Sequence, residues 1–506
     1  MEVIVEWNGQ SCHWVGSREQ EAPLIVDAVI DITLARGAYT KRQFTILSSP
    51  TTSILAAQNR LLNMTHSAER TPLLATAVQV SNPDTAPQAQ SAAETGGDHH
   101  EHAAVYHSRF AISSALALVF SLGLVIFSVM YIERLPNDPD RAALKILQKT
   151  PLIDGHIDLP IMVRWEYRNN ITRFDMNKRM KYHVDIPRLR QGKVGGFFWS
   201  VFVDCAESGP DFLIPTNRVR DTLEQIDVST LLIERYSDAF ALAVSVKEIE
   251  QTMHTGKIAS LIGVEGAHQL GNSLAVLRQY YKLGARYMTL THSCNNAFAD
   301  SAGIFEPVPS VHGGLSPLGE ELVREMNRIG MIVDLSHTSD DTAIQALKLS
   351  RAPVMWSHSS VRTLRGISRN VPDHVLKLIG TGKGQKDGVV MVNLYPRFLV
   401  EDGVNATLNA AADHIEHVGK VAGRAHVGIG SDFDGIEVVP EGLEDVSKYP
   451  ALFAELIRRG WSRAELEGLA SKNFLRVFRG VEEVSKEMKE ETLPSMMLYD
   501  KRDPRD

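Results

Sequence analysis

The chain has 506 residues, 44% of them hydrophobic and 23% charged, with a formal net charge of −8. Such a composition excludes a mostly disordered, collagen-like or multi-span membrane protein, and the lack of a basic excess gives no case for a nucleic-acid partner. Three cysteines exclude a disulfide-built scaffold and a four-cysteine zinc module, whereas 18 histidines make metal or acid–base chemistry worth tracing.

Residues 1–109 read as a tail, largely disordered. Residues 1–63 show no strong periodicity, and Met64 opens a stretch that would serve as a start of its own. Residues 75–108 are rich in Ala, Gln, Ser, Thr, Asp and His, a composition that buries too little surface to order itself. His99, His100 and His102 read as part of a solvated linker rather than a metal tract. Glu69, Arg70, Thr71, Pro72, Leu73 and Leu74 have the acidic-dileucine form read by sorting adaptors, a pattern short enough to arise by chance.

Residues 110–132, FAISSALALVFSLGLVIFSVMYI, carry no charge. At 1.5 Å per residue they span roughly the 30 Å hydrocarbon core, which predicts one transmembrane helix. Arg109, Glu133 and Arg134 end it sharply, and its position is too far along the chain for an ordinary cleaved signal peptide. Arg134, Arg141 and Lys145 after the span outnumber Arg109 before it, which favours the C-terminal side inside. The sequons at Asn170 and Asn405 favour the opposite orientation.

After a linker at 133–142, short apolar runs alternate with helical stretches over 143–488, ahead of a charged tail at 489–506 that reads as frayed. The runs lie at 152–158, 195–203, 258–266, 287–292, 331–337, 353–359, 388–395 and 426–435. Apolar strands separated by amphipathic stretches such as LGEELVREMNRIG predict a parallel sheet covered on both faces, and eight such units predict an α/β fold of the (β/α)8 TIM-barrel type.

Several runs end in a metal-capable or acidic residue: His156 and Asp158, Glu265, His292, His337, His358 and Asp432. Taken singly, such a histidine is ordinarily a satisfied polar residue, and such an aspartate a turn or cap. In a parallel barrel, however, all C-terminal strand ends open on one face, so these residues meet. A mouth lined by imidazoles and carboxylates calls for charge compensation, which divalent cations supply. His156 and Asp158 are two apart on an extended strand and can grip one ion. Glu265 can bridge two ions, and His337 with His358 can hold the second. A set without thiolate suits zinc and tolerates manganese or cobalt. Two ions about 3.5–4 Å apart can hold a bridging hydroxide and polarise a carbonyl, which points to amide or ester hydrolysis.

The segments IDGHIDLP (153–160), GVEGAH (263–268), YMTLTHSCNNAFAD (287–300), DLSHTS (334–339), SHSS (357–360), SRNVPD (368–373) and GIGSDFDG (428–435) stand in an order that resembles the membrane dipeptidase, or renal dipeptidase, family. The resemblance covers about residues 143–488 and implies a binuclear zinc dipeptidase with a dipeptide substrate. It implies that His156 and Asp158 bind the first zinc, Glu265 bridges, and His337 and His358 bind the second. It further implies that His292 contacts the scissile group and Arg369 binds the substrate's C-terminal carboxylate. The resemblance also implies the acid–base role for Asp432, with Asp434, of the same strand parity, as the competing choice. His268 reads as structural. A Cys205–Cys294 disulfide is implied too, and with it a non-cytosolic compartment: a barrel outside the cell or in a vacuolar or lysosomal lumen. Residues 489–506 carry no readable GPI signal, and Arg365 stands where a cysteine of a second family disulfide would fall, which leaves a homodimer open. Hydrolysis of another short amide, with an N-acyl or D-amino-acid substrate, is the competing enzymatic reading. A tethered binding protein without turnover is the competing non-enzymatic one.

Overall fold

The computed structural model describes residues 25–29, 43–47, 118–122, 134–209 and 211–503. Two compact units divide the chain, Met1–Arg109 and Phe110–Asp506. In the first, Ile25–Val29 pairs antiparallel with Gln43–Leu47. That pairing suits the β-branched and aromatic content of the two segments, although the tail reading did not anticipate it. The remainder of the tail, including the dileucine pattern, lies outside the described residues. So does most of the expected membrane helix. Of that segment only 118–122 is described; it is helical and its side chains are exposed. Among the described residues no helix is long and apolar enough to cross a membrane.

The second unit is built on eight parallel strands: β1 (Leu152–Ile157), β2 (Val194–Phe202), β3 (Ile258–Glu265), β4 (Ala285–Thr289), β5 (Ile332–Asp334), β6 (Val354–Trp356), β7 (Gly388–Val392) and β8 (Val427–Ile429). Each pairs with the next, and β8 returns to β1 through Ile429 and Asp154, closing the ring. The expected TIM-type barrel is thus present. One extra strand, Phe240–Leu242, lies against the start of β3 and was not expected; three residues carry too little pattern to register.

Alternation along the strands separates two apolar layers. Ile153, Phe198, Leu261, Tyr287, Met355 and Met391 pack with Phe474 and Phe478 of the helix Asn473–Glu491. Phe197, Trp199, Ile262, Met288 and Val390 join the larger cluster shared with the outer helices. Each such burial stabilises by about 1.5–3 kcal/mol relative to exposure. The helix Pro317–Ile329 shows how one outer element is specified. Ser316 caps it by accepting from the Gly319 N–H, while Leu318, Leu322, Met326 and Ile329 bury one face. Gly330, at φ 91°, ends it. The described part of the C-terminal segment, to residue 503, keeps contacts with the barrel. The helix runs to Glu491, the Ser495 N–H donates to Glu325, and Tyr499 is buried.

Two features shape the mouth of the barrel. The β1–β2 register slips between Asp154 and Ile157, and this irregularity re-aims His156 toward the interior. Tyr287 lies flat on Gly263, where a Cβ would meet the ring at 2.1 Å. Only glycine leaves room for the phenol to reach His156.

Candidate metal centre

β5, β6 and β8 are shorter than the apolar runs suggest, because side chains replace the ladder beyond their ends. Asp334 Oδ1 accepts from the Ser336 and Ser357 N–H groups, and Asp154 Oδ1 accepts from those of His156 and Ser431. The backbone is thereby free to turn sharply. His337 and Asp432 sit at φ 64° and 68°, in the left-handed region that histidine and aspartate enter more readily than branched residues.

These turns bring the residues at the strand ends together. Glu265 Oε1 lies 3.1 Å from His337 Nε2 and 3.2 Å from His358 Nε2, and those two nitrogens are 3.1 Å apart. Glu265 Oε2 lies 3.6 Å from His156 Nε2, which is 3.3 Å from Asp158 Oδ2 and 4.0 Å from Asp432 Oδ1. His292 Nε2 stands 3.8 Å from Glu265 Oε1. Asp158 is no longer on the strand: it precedes the helix Leu159–Tyr167, yet it still faces His156.

The residues fit a pair of cations. Among the described residues, His156 Nε2 and Asp158 Oδ1 are buried with no hydrogen-bond partner, and the facing nitrogens of His337 and His358 form ion pairs with no carboxylate but Glu265. Burial, then the Arg369 and His292 charges, hold His337 well below the usual histidine range. Burial, then His156 and Arg369, bring His358 down to about 4. Both shifts favour the neutral imidazole, the form that can ligate a metal. Asp158 is pushed up to about 7, by burial first and then by Glu265 and Asp432 against the pull of His156. Crowded carboxylates of this kind are what a bound cation would relieve.

Arg369 lies beside this cluster on the β6 side. Its Nη2 donates to the His358 carbonyl at 2.6 Å and its Nη1 to Ser359 Oγ at 2.7 Å. Its Nε has no partner among the described residues, and burial lowers its pKa to about 10. Asp432, not Asp434, faces the cluster. Asp434 instead accepts from the His183 N–H at 2.8 Å. Strand parity could not separate the two aspartates, because β8 ends at Ile429 and both sit in left-handed turns beyond it. His268 points away, with Nε2 2.7 Å from the Val203 carbonyl. Cys205 and Cys294 are bonded, tying the loop after β2 to the loop after β4.

Sequence reasoning did not single out the groups that hold the clustered side chains in place. Tyr287 Oη is 2.9 Å from His156 Nδ1, Ser357 Oγ is 2.8 Å from His358 Nδ1, and Asn393 donates to Asp432 at 2.8 Å. Asp154 also receives the Tyr449 hydroxyl. A polar residue in the middle of an apolar run, as at Asp154 and Asp334, was the available signal. Replacing Asp154 by alanine strands three buried donors. Denaturant unfolding of Asp154→Ala should show a loss of about 3 kcal/mol or more.

Comparison with known proteins agrees with this geometry. A family model described as membrane dipeptidase, peptidase family M19, matches residues 140–492. Dipeptidase aclJ of Aspergillus oryzae is 46% identical over 355 residues, covering 69% of this chain and 82% of that relative. Dipeptidase verJ of Clonostachys rogersoniana is 46% identical over 352 residues, covering 69% and 88%. Among solved structures, a metallopeptidase from Rhodobacter sphaeroides, liganded with a phosphinate mimic of the dipeptide L-Ala-D-Ala, superposes with a TM-score of 0.58. It is 25% identical, covering 65% of this chain and 99% of that one. With its barrel, its buried histidine–carboxylate cluster and a match over most of its length, this chain belongs to the membrane dipeptidase family, peptidase family M19.

Proposed function

We propose that this chain is a membrane-anchored dipeptidase that works with two zinc ions. The observation that carries the reading is Glu265. One carboxylate oxygen lies among the His337 and His358 nitrogens and the other lies near His156. His156, Asp158 and Glu265 would hold one ion; Glu265, His337 and His358 would hold the other. When bound, the pair supplies an activated water and Lewis-acid polarisation of the peptide carbonyl.

The remaining roles belong to the chain's own residues. His292, on the side of the cluster nearest Glu265 Oε1, donates a hydrogen bond to the scissile carbonyl oxygen as charge develops there. Asp432, held by Asn393, takes the proton of the attacking water and passes it to the leaving nitrogen. Arg369 turns toward the substrate's free C-terminal carboxylate. A carboxylate anchored one residue from the scissile bond admits only short substrates, which makes the enzyme a dipeptidase rather than an endopeptidase. Arg369→Ala should raise KM and also lower kcat, since a misplaced scissile bond reacts slowly. A C-terminally amidated dipeptide should already be poor for the wild-type enzyme. Equal kinetics on the free and amidated substrates would remove Arg369 from this role.

The anchoring half of the reading rests on residues 110–132. The described turn at 118–122 exposes Leu118, Val119, Phe120 and Leu122, as a lipid-facing helix would. The disulfide and the two exposed sequon asparagines, Asn170 and Asn405, support a barrel outside the cell or in a vacuolar or lysosomal lumen. Sealed vesicles should protect the barrel from added protease, and glycosidase should shift its mobility. Digestion from the cytosolic side, with Asn170 and Asn405 both unmodified, would reverse the orientation.

A further inference from the structure

A second cavity, of about 490 Å³, adjoins the catalytic cleft and shares Ile161, Trp165, Phe202 and Asp204 with it as a common wall. Its inner side is formed by the helix Arg218–Arg235, which presents Arg218 and Gln225, two turns apart and so on one face. Arg218 is 7% exposed, and among the described residues no ion pair reaches it. Its Nη2 donates to the Ala206 carbonyl, while its Nε has no partner. Gln225 is fully buried, and among the described residues neither its amide nitrogen nor its amide oxygen has a hydrogen-bond partner. A buried guanidinium without a counter-charge is costly, and so is a buried amide left unpaired. Neither residue enters the hydrolytic chemistry described above.

Barrel order fixes which end of a substrate would meet them. β2 and β6 lie on opposite sides of the eight-stranded ring. Arg369 is held by His358 and Ser359 just beyond β6, whereas Phe202 and Asp204, in the wall of the second cavity, lie at and just beyond the end of β2. A dipeptide whose C-terminal carboxylate is anchored at Arg369 therefore directs its N-terminal residue toward the second cavity. We infer that this cavity receives the side chain of the N-terminal residue, and that Arg218 and Gln225 select a side chain ending in a carboxylate. The inference rests on the dipeptidase reading and adds a substrate class to it.

Acidic residues also line the cavity. Asp221 is already engaged by Arg164 at 3.3 Å and Arg220 at 2.8 Å. Asp204 and Glu207 are exposed at the lip, where solvent screens them. The charge at the inner wall is that of Arg218.

The test uses the zinc-loaded full-length enzyme with Glu-Ala, its isostere Gln-Ala, Lys-Ala and Ala-Ala. Glu-Ala should exceed Gln-Ala in kcat/KM by about tenfold or more, chiefly through KM. In Arg218→Gln that ratio should collapse to within about twofold, while Arg218→Lys keeps part of it. Melting temperature and zinc content report whether the variants are folded. If Arg218→Gln does not fold, Gln225→Leu, which keeps the volume, should lower the same ratio. Turnover of Ala-Ala with no preference for Glu-Ala over Gln-Ala, a preference for Lys-Ala, or a ratio that survives in folded Arg218→Gln would each overturn the inference and leave the dipeptidase reading standing. Failure to hydrolyse any of the four would overturn both.

Discussion

Glu265→Gln should lose metal and activity together while the barrel still folds. The substitution keeps the volume but replaces one carboxylate oxygen by an amide NH2, which cannot ligate. Either orientation of the amide sets that NH2 against imidazole nitrogens: His337 and His358 at 3.1 and 3.2 Å, or His156 at 3.6 Å. Losing the cation pair removes several kcal/mol of transition-state stabilisation, so kcat/KM should fall by roughly 10³-fold or more. Folding should survive, because the register of β3 against β2 is set over seven residue pairs from Gly196 and Ala259 to Phe202 and Glu265. Metal analysis of a dialysed sample, read beside circular dichroism, checks both halves. A folded variant that retained metal and activity would remove Glu265 from the centre.

Asp432→Asn should separate chemistry from metal binding. Asp432 Oδ1 is 4.0 Å from His156 Nε2, farther than Asp158 at 3.3 Å, so it stands beside the ligand cluster and open to a substrate. An asparagine there retains the contact with Asn393 but cannot carry a proton. Expected is a fall in kcat of about 10²–10⁴-fold with zinc content and KM little changed. Asp434→Asn should not reproduce this, since Asp434 is spent on the His183 backbone. If the two variants behaved alike, the acid–base assignment would be wrong.

Much of this was legible because a parallel barrel converts sequence order into spatial convergence. All eight principal strands appear as apolar runs, and the polar residues that close those runs fall at one mouth. The boundaries were less legible. Past Asp334, Trp356 and Ile429 the ladder yields to side-chain hydrogen bonds, which leave no trace in hydropathy. The geometry of Asp158 and Asp432 was reached by turns rather than by extended-strand parity, so parity placed His156 with Asp158 for an incomplete reason and could not divide Asp432 from Asp434. Tyr287 was hidden because an aromatic residue opening an apolar run reads as core, and only the bare face of Gly263 lets its hydroxyl reach His156. Arg218 and Gln225 were hidden for a different reason. On a helix with charges all along it, nothing in the sequence marks which of them lack partners.

Dipeptide hydrolysis at this cluster should depend on two bound zinc ions. The direct measurement strips the full-length enzyme with a chelator, follows hydrolysis of a simple dipeptide such as Ala-Ala, and titrates zinc back. There should be no turnover without metal, and activity should rise until about two zinc ions are bound per chain. Full turnover by the stripped enzyme, or activity that saturates at one ion, would contradict it.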